Sequence, residues 1–177
     1  MQGEDLLDSN RVAERSTSGE PTVAVAFGGG GARGFSHIHI IEVLDELGIR
    51  PVAIAGVSIG AIMGSAMAAG MRGSDIREYA LSTMGKRREV VSRIWKARPA
   101  KVGSVFSRGF QLGQFNIERM LPALLPADFP TTFEQLEIPT QIIATDFYAQ
   151  QEVTYSSGNL LQSIAASSAI PALFRPV

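Results

Sequence analysis

The 177-residue sequence contains no cysteine, which excludes disulfides, thiolate catalysis and cysteine-ligated metal sites. Histidine is scarce as well. His37 and His39 are the only two, few for chemistry that needs a histidine base. A charge of one sign is also missing: the formal net charge is −1, so no global field draws in nucleic acid or an acidic partner. Long aliphatic runs are absent too. Pro51 to Met71 carries no charge and is long enough to span a bilayer by length alone. Gly56, Gly60, Gly64 and Gly70 break it up, however, and a strand, a tight turn and a small-residue helix explain it better. Residues Met1 to Glu20 lack the apolar core of a signal peptide. They are expected to form a flexible tail (1–20), and the expected location is cytoplasmic, with peripheral membrane contact as the one extension. No cofactor site and no metal site is read from the sequence, and the oligomeric state is left open.

What is present is globular. Hydrophobic residues make up 45% and charged residues 19% of the chain, consistent with one domain over 21–177. Thr22 to Phe27 is a short β-branched apolar run of the kind found in strands buried on both faces. From Ser36 to Leu47, Ile38, Ile41, Val43, Leu44 and Leu47 recur at mostly helical spacing, and Gly48 follows as a stop. Pro51 to Ala55 reads as a second strand and Ala61 to Met71 as a helix in which Gly60, Gly64 and Ala68 permit close packing. Ser74 to Met84 reads as a helix capped by Ser74. Two further short helices are expected at Asn116 to Leu125 and from Thr131 or Thr132 onward. Gln141 to Ala144 reads as a third core strand ending at Thr145-Asp146, Gln151 to Tyr155 as an outer strand, and Leu160 to Ser168 as a small-residue helix. This order predicts an α/β layer fold with a mainly parallel sheet.

The segment 86–108 differs in kind. It holds Lys86, Arg87, Arg88, Arg93, Lys96, Arg98, Lys101 and Arg108 against the single acid Glu89, with Val90, Val91, Ile94 and Trp95 on one helical face. A basic amphipathic helix of this type can lie on an anionic membrane surface. A solvated helix with Trp95 packed on the body is the other reading.

Two glycine motifs carry the chemistry. Gly56-Val57-Ser58-Ile59-Gly60 follows a strand and precedes a helix, the setting of a nucleophile elbow that exposes a serine hydroxyl above a sheet. One βα unit upstream stands Gly28-Gly29-Gly30-Gly31-Ala32-Arg33-Gly34. As a phosphate loop it fails, because Phe35 occupies the lysine position. As a dinucleotide fingerprint it fits locally but lacks the acid about twenty residues on. As an oxyanion hole, its N–H groups converge before a helix and complete a site with Ser58. Ser58 needs a base. No histidine follows it, so the chain order of an α/β-hydrolase triad is not satisfiable. Asp146 stands at the end of the third strand, where the open end of a sheet gathers active-site groups.

Gly29-Gly30-Gly31-Ala32-Arg33-Gly34, Gly56-Val57-Ser58-Ile59-Gly60 and the late Ala165-Ala166-Ser167-Ser168-Ala169-Ile170-Pro171 together resemble the patatin-like phospholipases, closest to bacterial members related to neuropathy target esterase. The likeness covers about residues 22–177. It implies a three-layer α/β/α fold and hydrolysis of fatty acyl esters of phospholipids, lysophospholipids or neutral lipids by a serine–aspartate dyad through an acyl-serine. By that likeness Ser58 is the nucleophile and the N–H groups of Gly29, Gly30 and Gly31 form the oxyanion hole. Arg33, Gly34, Gly56 and Gly60 support the motifs, with Arg33 bracing the loop. The family's Asp-Gly-Gly or Asp-Gly-Ala motif does not occur among the 177 residues. The chain is therefore expected to be the N-terminal portion of such a domain and inactive alone. The rival expectations are a catalytically inactive membrane-docking or interaction protein, a nucleotide-binding module using the glycine loop, and a thioesterase or protease on the same elbow.

Overall fold

The computed structural model describes residues 21–83, 116–171 and 174–177. The tail 1–20 and the basic segment 86–108 lie outside the described residues. A four-stranded sheet runs in the order β1 (Ala24–Phe27), β2 (Ala53–Gly56), β3 (Thr140–Asp146), β4 (Gln151–Tyr155). The first three strands are parallel and β4 returns antiparallel to β3. With its helices the sheet forms the expected three-layer α/β/α arrangement.

The first strand departs from expectation. Ala24 and Ala26, which share one face of the strand, are exposed, while Phe27 on the other face is buried; β1 forms one edge of the described sheet, with β2 on its other side. Past the glycine loop, a 3-10 turn (Gly31–Ser36) leads into α1 (His37–Glu46). Ile38 and Ile41 are buried, but Val43 is 48% and Leu47 65% exposed. Helical geometry explains the difference: Val43 sits about 200° around the axis from Ile41 at 3.6 residues per turn. Gly48 ends the helix with φ +65, and Ile49 N–H reaches Leu44 O at 2.9 Å, the left-handed stop the sequence suggested.

The helix α2 (Ile59–Ala68) starts immediately after Ser58 and is buried along nearly its whole length. Small residues make that possible. A Cβ added at Gly64 would stand 2.8 Å from Ile54 Cγ2 and 3.1 Å from Phe27 Cδ2, so α2 lies directly on β1 and β2. This ten-residue helix and the strand before it account for the uncharged stretch 51–71. No helix among the described residues is long and apolar enough to cross a membrane.

Residues 73–83 form α3. Its start lies one residue before the expected Ser74 cap, and acids meet its first N–H groups: Asp45 Oδ2 accepts from Gly73 N–H at 2.7 Å and Asp75 Oδ2 from Arg72 N–H at 3.3 Å. The stretch expected as one helix from Asn116 divides into α4 (Ile117–Met120) and a 3-10 turn (Pro122–Leu124), since Pro122 removes an N–H donor. Asn116 and Asn159 cap α4 and α5 (Leu160–Ser168) by accepting from the N–H groups of Arg119 and Gln162. Ile41, Ile54, Leu121, Ile142, Leu160 and Ile164 form the fully buried centre, each contributing on the order of 1.5–3 kcal/mol by leaving water.

Candidate active site

Both glycine motifs emerge from the same end of the sheet. Phe27, the last residue of β1, pairs in register with Gly56, the last of β2, so the glycine loop and the elbow leave neighbouring strands side by side. Val57 N–H donates to Phe27 O at 3.1 Å, and the chain then reverses into α2 through Gly60 N–H to Val57 O at 2.8 Å and Ala61 N–H to Ser58 O at 2.9 Å.

Ser58 takes φ +54 and ψ −120, a region that L side chains rarely adopt and that costs on the order of 1–3 kcal/mol. Gln150 is the other non-glycine residue at positive φ among the described residues. The strain at Ser58 persists because its flanks are locked. A Cβ at Gly56 would come within 2.6 Å of Ala61 Cα and 2.7 Å of Gly60 O, and one at Gly60 would strike the Phe27 carbonyl. Only glycine lets strand, turn and helix approach this closely. Ser58 is half-buried at the head of α2, and among the described residues its Oγ has no hydrogen-bond partner.

The glycine loop lies against that serine. A Cβ built on Gly29 would stand 3.7 Å from Ser58 Cβ. Gly31 has φ +55 and opens the 3-10 turn, which Arg33 N–H closes on Gly30 O at 3.2 Å. The N–H groups of Gly29 and Gly30 donate to nothing among the described residues. Free N–H donors beside an unpartnered hydroxyl suit the stabilisation of an oxyanion. Gly34 is buried because Ile59 packs where its Cβ would be, tying the loop to the first turn of α2. The Arg33 side chain is exposed and makes no ion pair among the described residues. The hydrogen bond Arg33 gives the loop comes from its backbone N–H.

The candidate bases are engaged elsewhere. His37 places Nε2 2.9 Å from Gly28 O and packs edge-on against Phe27, with ring centroids 5.2 Å apart. Since a carbonyl only accepts, His37 donates and steadies the glycine loop. His39 is exposed and faces Glu42 at 3.2 Å. Asp146 Oδ1 accepts from Tyr148 and Ala149 N–H, each at 2.9 Å, closing the β3–β4 turn. Because Gly56 is registered with Ile142, Asp146 lies four residues farther along β3, about 13 Å past the elbow level. No group of acids and histidines able to hold a metal occurs among the described residues.

One participant escaped the sequence reading. Ser167, in the late motif, accepts from Ser58 N–H at 2.8 Å and donates to Ile143 O at 2.6 Å. Its partners lie 109 and 24 residues away, so no local spacing signals the contact.

The family model for patatin-like phospholipase matches residues 25–177. The chain belongs to the patatin-like phospholipase family. An uncharacterised NTE family protein of Mycobacterium tuberculosis is 35% identical over 159 residues, which span 90% of this chain and 40% of that protein. Human patatin-like phospholipase domain-containing protein 6 is 28% identical, over 96% of this chain and 12% of its own length. The chain thus spans well under half of the curated relatives it matches. A chain of the SpcU–ExoU complex from the type III secretion system of Pseudomonas aeruginosa superposes with a TM-score of 0.51. That match covers 85% of this chain and 39% of that one at 15% identity, and at that identity the likeness extends to the fold alone.

Proposed function

We propose that this chain carries the nucleophile and oxyanion hole of a lipid acyl hydrolase. The observation that supports it most is Ser58: a strained serine at the head of a buried helix, its hydroxyl unpartnered among the described residues, with the Gly29 loop beside it. Ser58 Oγ adds to the acyl carbonyl of a phospholipid, lysophospholipid or neutral lipid while its proton passes to a base. The carbonyl oxygen takes the resulting negative charge among the N–H groups of Gly29, Gly30 and Gly31. Collapse of the tetrahedral intermediate expels the alcohol, which takes up the proton, and leaves an acyl-serine. Water then repeats the addition and releases the fatty acid.

The base in this reading is an aspartate of the family's Asp-Gly-Gly or Asp-Gly-Ala motif, which the 177 residues do not contain. The 177-residue chain alone is accordingly expected to be inactive or nearly so. Substrate held in a membrane gives the basic segment 86–108 a role in electrostatic attraction to an anionic surface.

The test is labelling by a serine-directed fluorophosphonate, using the protein expressed from its full natural reading frame. Wild type should label and Ser58→Ala should not. Equal labelling of the two, or none of either, overturns the proposal. Liposome binding without release of fatty acid would point to an inactive membrane-docking protein instead.

A further inference from the structure

The amide of Ser58 is satisfied in an unusual way. Along the β2–β3 ladder Ile54 N–H donates to Pro139 O at 2.9 Å, and Gly56 is registered with Ile142. Parallel ladders advance two residues per bond on each strand. A β2 that simply continued would therefore bring Ser58 N–H to Ile143 O. The chain turns away at the elbow instead, and the gap this opens is filled by one oxygen. Ser58 N–H donates to Ser167 Oγ at 2.8 Å, and Ser167 Oγ–H donates to Ile143 O at 2.6 Å. Both bonds are part-buried, where an unpartnered amide or carbonyl is costly.

We propose that Ser167 is a positioning residue for the nucleophile: its hydroxyl is spliced into the β2–β3 ladder so that Ser58 can leave the sheet while its amide stays bonded. Without that oxygen Ser58 N–H and Ile143 O both lose their partner, and the elbow is free to shift in the direction of the missing bond. That movement turns Ser58 from φ +54 toward extended backbone and carries its Oγ away from the Gly29 loop. Ser167 sits in the last turn of α5, and α5 packs on β3 and α2. The splice is therefore held by two packed elements, and neither is a loop. The effect on rate rests on the reading of Ser58 as nucleophile; the effect on its amide does not.

Two measurements on the protein from its full natural reading frame separate these claims. Amide hydrogen exchange reports the Ser58 N–H directly. Ser167→Ala should speed its exchange at least about tenfold, and Ser167→Thr, which keeps an oxygen on Cβ, should stay within about threefold of wild type. Fluorophosphonate labelling should slow about 100-fold in Ser167→Ala, as expected for a misplaced reacting atom. The concentration for half-maximal rate should hardly move, and Ser167→Thr should recover most of the loss. If Ser167→Ala fails to fold, Ser167→Cys takes its place, since sulfur fills the volume but bonds weakly. Wild-type exchange and labelling in Ser167→Ala or Ser167→Cys overturns the proposal, and so does an equal loss in Ser167→Thr. If wild type takes up no probe, the hydrolase reading falls, and amide exchange still decides the role of Ser167.

Discussion

Gly60→Ala is the substitution for which packing geometry and intrinsic propensity oppose each other most directly. Gly60 is the second residue of α2, and alanine there gains up to about 1 kcal/mol of helix propensity. Against that, the new Cβ would overlap the Phe27 carbonyl and stand 2.7 Å from Gly28 O. All of these are backbone atoms, so no rotamer change relieves the clash. The first turn of α2 would have to withdraw from β1 by about 1 Å, stretching the Val57 N–H to Phe27 O bond from its 3.1 Å. Overpacking a core costs about 1–3 kcal/mol and occasionally more. A rigid backbone obstacle places this case at about 3 kcal/mol. The net destabilisation is then about 2 kcal/mol, or about 4–8 °C in Tm for a chain of this size. Thermal unfolding followed by circular dichroism measures it. Gly28→Ala is the control: its Cβ meets nothing within 4 Å, and its effect should stay within about 0.5 kcal/mol. A Gly60→Ala protein melting within about 2 °C of wild type, or a Gly28→Ala protein falling as far as Gly60→Ala, would refute the reasoning.

Asp146→Ala removes the acceptor of two turn N–H bonds at 2.9 Å. It should lower Tm by about 2–4 °C, for about 1 kcal/mol of lost hydrogen bonding, and leave Ser58 labelling within about threefold; a tenfold loss of labelling at unchanged stability would tie Asp146 to Ser58. Glu134 is held below the ordinary glutamate value, first by Gly158 N–H at 2.9 Å, then by its own backbone N–H and the Thr132 hydroxyl. A pKa lowered by folding stabilises fully above the unfolded value and loses that contribution as pH falls through the folded value. The Tm difference between wild type and Glu134→Gln should therefore be constant near neutrality and shrink below about pH 4.3, and a difference that grows on acidification contradicts the assignment.

The elements legible in the sequence were those whose signal is local. The strand entering the elbow, the glycine stop after α1, β4 and α5 each carry their cue within a few residues. The misreadings arose where a distant partner decides the outcome. Thr22 to Phe27 has the composition of a strand buried on both faces, yet burial depends on what packs over each face, and the face of Ala24 and Ala26 is exposed. Val43 and Leu47 have helical spacing relative to some apolar neighbours, but Ile38 and Ile41 fix which side of α1 meets the core.

The site divides along the same line. Ser58 and its flanking glycines were legible because the tightness of the turn is written in five consecutive residues. Gly60 could be assigned to α2 packing from sequence, while its contact with the Phe27 carbonyl required the register of β1 on β2. Ser167 is the extreme case. It lies in a motif the sequence displays, but its link to Ser58 depends on where the β2–β3 ladder breaks, and that is fixed jointly by the Gly56–Ile142 register and the docking of α5. The turn is written in its own residues, whereas the oxygen that accepts from the Ser58 amide comes from another element. Short motifs therefore report a tight turn far better than the atoms of other elements that bond to it.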